Sequence, residues 1–253
     1  MKILLTLSYL GTDFCGYQIQ PRGRTVQGEL NRAARELFGF DCDITGCSRT
    51  DTGVHANTFC ATVTQKGTGA IETAIDISKI PTAMNAHLPE DVAVRSAEWV
   101  NDEFHPRYDV KYKEYVYKIY NFYARNPMES GRSWHIPHVY NDDALEKMKK
   151  AASYFVGKHD FSAFMASGSN VESTVRDIKY ARIEKKGDII EFTVAADGFL
   201  YNMVRILTGT LVSVAQGKTD PDAIPEIILS KDRSRAGMTA PAEGLYLNNV
   251  VYN

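Results

Sequence analysis

The residue types best suited to chemistry lie in one short segment, residues 46–56, which reads GCSRTDTGVHA. It combines Arg49, Asp51 and His55 with small side chains. Thr-Asp-Thr-Gly is also a favourable turn sequence, so an ordinary hairpin turn accounts for the same residues. A single carboxylate beside an arginine suits a nucleophile, because a nearby cation favours the ionised form of the carboxyl group. The segment therefore predicts either a plain turn or a loop that presents a nucleophilic Asp51.

Other kinds of chemical site fit the sequence poorly. A phosphate-binding loop would need Gly-Lys-Ser or Gly-Lys-Thr, and the motif is not followed by either. A glycosidase would need two carboxylates about 5–10 Å apart, whereas this motif offers one. Cys42, Cys47 and His55 match no standard spacing of zinc ligands, so no metal site is predicted.

The motif lies between two predicted strands of a larger pattern. Periodicity and turn residues predict strand, helix, strand, strand, helix and strand at residues 2–9, 25–38, 42–49, 55–64, 71–79 and 92–100. The same order follows at residues 111–121, 142–156, 173–184, 189–197, 199–215 and 245–252, with an added helix near 221–230. Two βαββαβ units predict an α+β fold of two ferredoxin-like halves with antiparallel sheets flanked by helices. The predicted boundary separates residues 1–104 from residues 105–253.

Composition limits the class of protein. Of 253 residues, 44% are hydrophobic and 24% are charged, which excludes disordered, collagen-like and coiled-coil proteins. Lys and Arg number 29 against 31 Asp and Glu, so the net charge of -2 does not by itself indicate a nucleic-acid-binding protein. No apolar run approaches the roughly 18–20 residues of a membrane span, and no signal peptide is recognisable. Four cysteines without a Cys-x-x-Cys motif fit reduced thiols in the cytoplasm.

Six blocks of the sequence resemble the tRNA pseudouridine synthases of the TruA family, and they occur in the same order. Residues 46–56 are similar to the family signature G-x-x-R-T-D-x-G-V-H-A. The other blocks are residues 9–20 (YLGTDFCGYQIQ), 104–108 (FHPRY) with 115–117 (YVY), 159–161 (HDF), 198–205 (GFLYNMVR) and 240–245 (APAEGL). Together the blocks extend over practically the whole chain, which makes the resemblance highly specific.

The resemblance implies a function for Asp51. It would be the catalytic aspartate of an enzyme that breaks the C1′–N1 glycosidic bond of uridine and joins C1′ to C5. Attack on C1′, addition to C6 of the uracil, and proton abstraction at C2′ to give a glycal all fit one carboxylate. The sequence does not choose among these routes. None of them needs ATP, a redox cofactor or a metal, so no cofactor is expected.

The resemblance also implies roles for three other residues. Arg205 matches the family arginine that pairs with the catalytic aspartate; an unpaired arginine in an apolar run is costly to bury, and a side chain that reaches solvent is the alternative. Tyr115 matches the tyrosine that lies against the target base, with an ordinary sheet face as its alternative. Arg49 matches the arginine that holds the target nucleotide out of its stack, with a phosphate anchor or a salt bridge as alternatives.

Further cations are expected to contact RNA phosphates, because such binding depends on local charge. They are Arg22, Arg24, Arg32 and Arg35 around the first loop and helix, and Lys111 and Lys113 on the strand of Tyr115. The arginines have only Glu29 as an acidic neighbour in this stretch, although a solvated helix face is the alternative. His55, close after a glycine at the start of a strand, is interpreted as a structural residue.

The resemblance implies a pseudouridine synthase fold with a central cleft, and a substrate, namely uridines 38 to 40 of the tRNA anticodon stem-loop. It also implies a homodimer in the cytoplasm, without membrane association. A non-catalytic RNA-binding protein with the same duplicated fold is the alternative, and loss of Asp51 or Arg205 would have supported it. An Asp-dependent glycosidase is a weaker alternative, because its second carboxylate is missing from the motifs.

Overall fold

A computed structural model describes residues 1–168 and 171–252, and it has the mixed α+β composition that the sequence predicts. The strands are β1 (Lys2–Tyr9), β2 (Cys42–Gly46), β3 (His55–Gln65), β4 (Val92–Val100), β5 (Val110–Tyr120), β6 (Trp134–His135), β7 (Gly157–Asp160), β8 (Val175–Lys186), β9 (Ile189–Ala196) and β10 (Leu245–Tyr252). The helices are α1 (Val26–Phe38), α2 (Ile80–Asn85), α3 (Asp142–Ser153), α4 (Met203–Ala215) and α5 (Ile224–Ser230).

The chain forms two compact units. The first contains Met1–Lys111 together with the segment that begins at Tyr246, and the second contains Tyr112–Leu245. The sequence places a boundary after residue 104 and assigns the last strand to the second half. The last strand, β10, instead belongs to the first unit from Tyr246 onwards. It pairs in parallel with β3, and Tyr246 lies opposite His55. The boundary between independently folding domains stays a prediction.

The first unit has the predicted strand, helix, strand, strand, helix, strand order. Its strands lie in the order β4-β1-β3, and β2 and β10 also pair with β3. All of these pairs are antiparallel except β3 with β10. The predicted antiparallel sheet is therefore confirmed in this unit. Helix α1 begins after Thr25, whose side chain accepts a hydrogen bond from Gly28 N, and it buries Val26 and Leu30.

The second unit is built on strands in the order β5-β9-β8-β7, and the neighbours along this path are antiparallel. The short strand β6 pairs in parallel with β5. The predicted hairpin is confirmed, since β8 ends at Lys186 and β9 begins at Ile189. Helix α3 begins after Asn141, whose side chain accepts from Ala144 N, as an N-cap residue usually does.

The helix boundaries differ from the prediction at three places. Residues 71–76 are not helical; Asp76 instead accepts from Ser78 N at the start of a 3₁₀ turn, and α2 follows, with a proline in its first turn. Helix α3 ends at Ser153, three residues before the predicted end. Helix α4 begins at Met203 rather than at residue 199, because Asn202 has a left-handed backbone conformation that an α-helix does not contain.

The four cysteines are free thiols, and three of them are buried. Within residues 1–168 and 171–252, no helix is both long and apolar enough to cross a membrane.

Candidate active site

Asp51 lies on the loop between β2 and β3, in a tight turn. The amide of Val54 donates to the Asp51 carbonyl at 3.1 Å, and Gly53 has a φ of 80°. A turn with positive φ at its third position is type II, and glycine meets that requirement at least cost. Asp51 is half-buried and Arg49 is exposed. The segment is therefore a turn, as the plain interpretation holds, and it also presents a carboxylate.

The loop that follows β1, residues 10–25, fixes this turn through hydrogen bonds. Tyr17 N donates to the Thr50 carbonyl at 3.1 Å, and Gly53 N donates to the Phe14 carbonyl at 3.4 Å. The hydroxyls of Tyr9 and Thr50 form a buried hydrogen bond of 2.8 Å. The residues on both sides of Asp51 are thus tied to a second segment of the chain.

Gly11 lets the two loops approach each other closely. A Cβ atom at Gly11 would lie 2.0 Å from the Val54 carbonyl oxygen, a distance that no real side chain tolerates. Its amide also donates to His55 Nδ1 at 2.9 Å. The block of residues 9–20 therefore serves as the support of the Asp51 turn.

His55 is fully buried, and its contacts agree with the interpretation that it is structural. Its ring stacks on Tyr246 at 4.6 Å between centroids. Because Gly11 N donates to Nδ1, that nitrogen carries a lone pair, and the proton of the neutral ring lies on Nε2. His55 thus links the loop after β1 to β3.

Arg205 lies in the first turn of α4 in the second unit, and its side chain is half-buried. Nε donates to the Ala240 carbonyl at 2.7 Å, and Nη1 donates to Asn202 Oδ1 at 2.7 Å. In return, Ala240 N donates to the Arg205 carbonyl at 3.2 Å. The guanidinium is held by protein groups rather than extended into solvent. Its pairing with Asp51 stays a prediction.

The tyrosines of β5 differ in role. Tyr115 is buried, and its ring meets that of Phe199 edge-on at 5.0 Å between centroids. Tyr117 is fully buried and donates its hydroxyl to the Pro241 carbonyl at 2.7 Å. Burial raises the pKa of Tyr117 well above its usual value. Tyr117 is therefore a core residue, which leaves Tyr115 as the candidate base platform.

Arg24 has partners that the sequence interpretation missed. Its Nη1 and Nη2 donate to the two carboxylate oxygens of Asp91 at 2.6 and 2.8 Å, and its Nε donates to Glu29 at 2.9 Å. Arg32 contacts both Glu29 and Glu36. The expectation that only Glu29 opposes these arginines is wrong, because Glu36 pairs with Arg32 one turn further along α1 and Asp91 reaches Arg24 from a distant part of the sequence.

The remaining predicted cations lie on the surface or near it. Arg22, Arg35 and Lys111 are exposed, and Lys113 is half-buried. In the part of the chain that the structure describes, no three His, Cys, Asp or Glu side chains come together as a metal site would require. The sequence interpretation also missed Asn202, which falls inside the helix predicted over residues 199–215 and precedes the observed α4.

Comparison with known proteins identifies the relatives of this chain. The family model described as tRNA pseudouridine synthase matches residues 6–109 and 151–253. The tRNA pseudouridine synthase A of Thermoanaerobacter sp. (strain X514) is 44% identical over 251 residues, which is 99% of each chain. The protein of the same name from Bacillus licheniformis is 42% identical over 255 residues and 100% of each chain.

Among solved structures, the chain is similar to one in the crystal structure of a Cbf5–Nop10–Gar1 complex. It has a TM-score of 0.36 at 11% identity, over 96% of this chain and 57% of that one. This similarity is too low to support a structural argument.

Proposed function

The chain belongs to the tRNA pseudouridine synthase family, whose members convert uridine to pseudouridine in tRNA, and we propose that it acts at positions 38 to 40 of the anticodon stem-loop. Asp51 is the catalytic carboxylate in this proposal. The reaction uses side chains of the protein and no cofactor.

The observation that carries the proposal is the way in which the Asp51 turn is fixed. Thr50 and Gly53 are hydrogen-bonded to the loop after β1, and Val54 is in close contact with Gly11 of that loop. A surface hairpin has no need of such support. A reacting carboxylate does, because misplacement by about 1 Å can cost roughly 100-fold in rate.

The chemistry requires one group that can act as a nucleophile or as a base. The C1′–N1 bond breaks, the C1′–C5 bond forms, the proton on C5 leaves and N1 gains a proton. Asp51 can serve by attack on C1′, by addition to C6, or by removal of the C2′ proton. Asp51 is half-buried, and electrostatic interactions with a partly desolvated carboxylate are stronger than with a fully exposed one, which favours each of these routes.

Three other residues assist Asp51 in the proposal. Arg205 pairs with the carboxylate and keeps it ionised. Tyr115 lies against the target base, where an aromatic ring contributes about 1–3 kcal/mol of stacking energy. Arg49, which is exposed beside the turn, keeps the flipped nucleotide out of its stack.

The RNA backbone is held by cations that are exposed or half-buried. Arg22, Lys111 and Lys113 keep their proposed contacts with phosphates. Arg24 is better assigned to the support of the fold, because its guanidinium already binds two carboxylates. A homodimer presents each cation twice and so provides more phosphate contacts than one chain of net charge -2 offers. The proposed location is the cytoplasm, and the two ferredoxin-like halves are proposed as the domains.

The proposal is tested with purified protein and an unmodified anticodon stem-loop transcript that carries tritium at C5 of its uridines. Tritium leaves when C1′ joins C5, so its release measures the reaction. We expect wild-type protein to release it without an added cofactor. Asp51→Asn should release none above background, yet bind the transcript within about 3-fold of wild type, because affinity comes mainly from phosphate contacts.

The matched control is Asp41→Asn, at an exposed aspartate before β2, which should leave rate and affinity unchanged. Appreciable release by Asp51→Asn would remove Asp51 from the reaction. Wild-type protein that binds the transcript and releases nothing would favour the non-catalytic RNA-binding protein. Transcripts with cytidine at positions 38 to 40 should release no tritium, and release from them would show that the substrate position is elsewhere.

A further inference from the structure

Helix α4 begins next to a residue in an unusual backbone conformation. Asn202 has a φ of 58° and a ψ of 11°, in the left-handed region that costs free energy for a residue with a Cβ atom. Among the described residues, Lys231 is the other non-glycine residue with positive φ. Such outliers persist where the surrounding structure requires them, and they concentrate at functional sites.

The side chain of Asn202 does not cap the helix. An asparagine at this position usually accepts a hydrogen bond from an amide of the first turn, but Asn202 makes no such bond. Its Oδ1 instead accepts from Arg205 Nη1 at 2.7 Å. The helix thus loses a favourable cap at the residue that also has the unfavourable backbone. Both losses accompany the contact of the Asn202 side chain with Arg205.

Arg205 is held from a second direction by Ala240. The Ala240 carbonyl accepts from Nε at 2.7 Å, and the backbone amide of Ala240 donates to the Arg205 carbonyl at 3.2 Å. Ala240 is fully buried, so this partner is fixed by the core. With Asn202 on Nη1 and Ala240 on Nε, the plane of the guanidinium is defined. A long side chain that is ordered in advance loses less conformational entropy when it acts.

We infer that Asn202 is a positioning residue, whose amide oxygen orients the Arg205 guanidinium for the reaction at Asp51. The inference rests on the role proposed for Arg205 above. Asn202 itself does not take part in the chemistry. It acts through Arg205, and it is suited to this because asparagine tolerates the left-handed backbone better than most residues and still supplies an acceptor.

The test replaces Asn202 in two ways and measures the rate with protein in excess over labelled transcript. Asn202→Gly keeps the backbone conformation and removes the acceptor. We expect its rate to fall roughly 10- to 100-fold. Its affinity for the transcript should stay within about 2-fold, and its melting temperature should not fall. Asn202→Asp retains an acceptor and should stay within about 5-fold of the wild-type rate.

Two controls isolate the effect. Lys231→Gly relieves the same left-handed backbone conformation at a position remote from Arg205 in the sequence. It also removes the ion pair between Lys231 and Asp160, so its stability should fall, but its rate should stay unchanged. In an Arg205→Lys background, which lacks Nη1, Asn202→Gly should cause no further loss, since residues that act as one unit are not additive.

A wild-type rate in Asn202→Gly, equally slow rates in Asn202→Gly and Asn202→Asp, or additive losses in the double variant would each overturn the inference. A wild-type rate in Arg205→Lys would instead overturn the proposed role of Arg205. A slow Arg205→Lys with an unimpaired Asn202→Gly would overturn this inference alone, so the two failures are distinguishable.

Discussion

The turn that carries Asp51 and the helix that carries Arg205 are supported by different kinds of contact. Around Asp51, hydrogen bonds between backbone groups tie the turn to the loop after β1, as between Tyr17 N and the Thr50 carbonyl. Around Arg205, the contacts involve the side chain itself, which donates to Asn202 and to the Ala240 carbonyl.

The difference follows from the two side chains. Aspartate is short, so fixing its backbone fixes its carboxylate to within a small range. Arginine is long and has many rotamers, so a fixed backbone leaves the guanidinium undetermined until other groups hold it. We therefore expect atoms added between the loops of the first unit to displace Asp51. In the second unit, we expect the loss of a single polar atom to displace the Arg205 guanidinium.

The largest effect is expected from Gly11→Ala. The added methyl group would lie 2.0 Å from the Val54 carbonyl oxygen, so the Asp51 turn must move. We expect the free energy of unfolding to fall by about 3 kcal/mol. The activity should also be lost at temperatures at which the variant is still folded. Urea unfolding and tritium release measure the two effects. At Gly39, an added Cβ atom would meet no other atom within 4 Å. Gly39→Ala should therefore lower the free energy of unfolding by only about 1–2 kcal/mol and keep the activity. Equal behaviour of the two variants would contradict the close approach of the loops.

A smaller loss is expected from Asp160→Asn in the second unit. Burial alone would raise the pKa of Asp160, but hydrogen bonds from Thr174 and Lys231 and from the amide of Ser162 hold it well below its usual value. Because the pKa is lower in the folded state, this stabilisation is present above about pH 4 and is lost as the pH falls further. We expect Asp160→Asn to be less stable by about 1–3 kcal/mol at pH 7.

The difference between Asp160→Asn and wild type should narrow below about pH 4 in urea unfolding. The exposed Asp143, which pairs with Lys147 one turn away, provides the control, and Asp143→Asn should change stability by a few tenths of a kcal/mol. A pH-independent difference at position 160 would mean that the carboxylate charge is not what stabilises this region.

A prediction on Arg22 and Arg24 separates RNA contacts from support of the fold. Arg22→Gln should flatten the log–log dependence of tRNA affinity on salt by about 1, because one phosphate contact is lost. Arg24→Gln should leave the slope unchanged and lower the free energy of unfolding by about 1 kcal/mol, because Arg24 binds Asp91 and Glu29. If Arg24→Gln flattens the slope as much as Arg22→Gln, the guanidinium leaves Asp91 for RNA.

The smallest effect is expected from Tyr17→Phe. Unlike the preceding variants, it should increase the stability of the protein. The Tyr17 hydroxyl is buried, and no described residue accepts or donates a hydrogen bond to it. The ring stacks on Phe59 at 4.4 Å, and phenylalanine keeps that contact. We expect the free energy of unfolding to rise by up to about 1 kcal/mol. This gain corresponds to a rise of about 2–4 °C in melting temperature. Tyr9→Phe, which loses the hydrogen bond to Thr50, should be less stable by about 1 kcal/mol. A loss of stability in Tyr17→Phe would reveal a hidden partner.

Features that depend on near neighbours in the sequence were predictable. Strand β1 is a continuous apolar run, and α1 combines an apolar face with Thr25 at its start and Gly39 at its end, so both matched their predicted extents closely. The turn at Asp51 and its place between two strands were also predictable from the sequence, because the residues that favour a turn are neighbours in the chain.

Features that depend on distant partners were not predictable. Asp91 lies 67 positions from Arg24, and no local pattern connects the two. The left-handed conformation of Asn202 shortened α4 at its start, since the side chain makes a contact that helix propensity does not describe. The predicted residues of the site were found by their types and by resemblance, whereas the atoms that orient them come from tertiary packing.

The pairing of β10 with β3 has a consequence for how the protein is made. Asn57 and Asn248, whose side chains share a hydrogen bond of 2.8 Å across these strands, are 191 positions apart. At about 5–20 residues per second, a ribosome needs roughly 10–40 s to synthesise the chain between them. During that interval the imidazole of His55 lacks Tyr246, on which it stacks in the finished protein. The surroundings of the Asp51 turn are therefore completed only late in translation, and a nascent chain released before Tyr246 cannot assemble them.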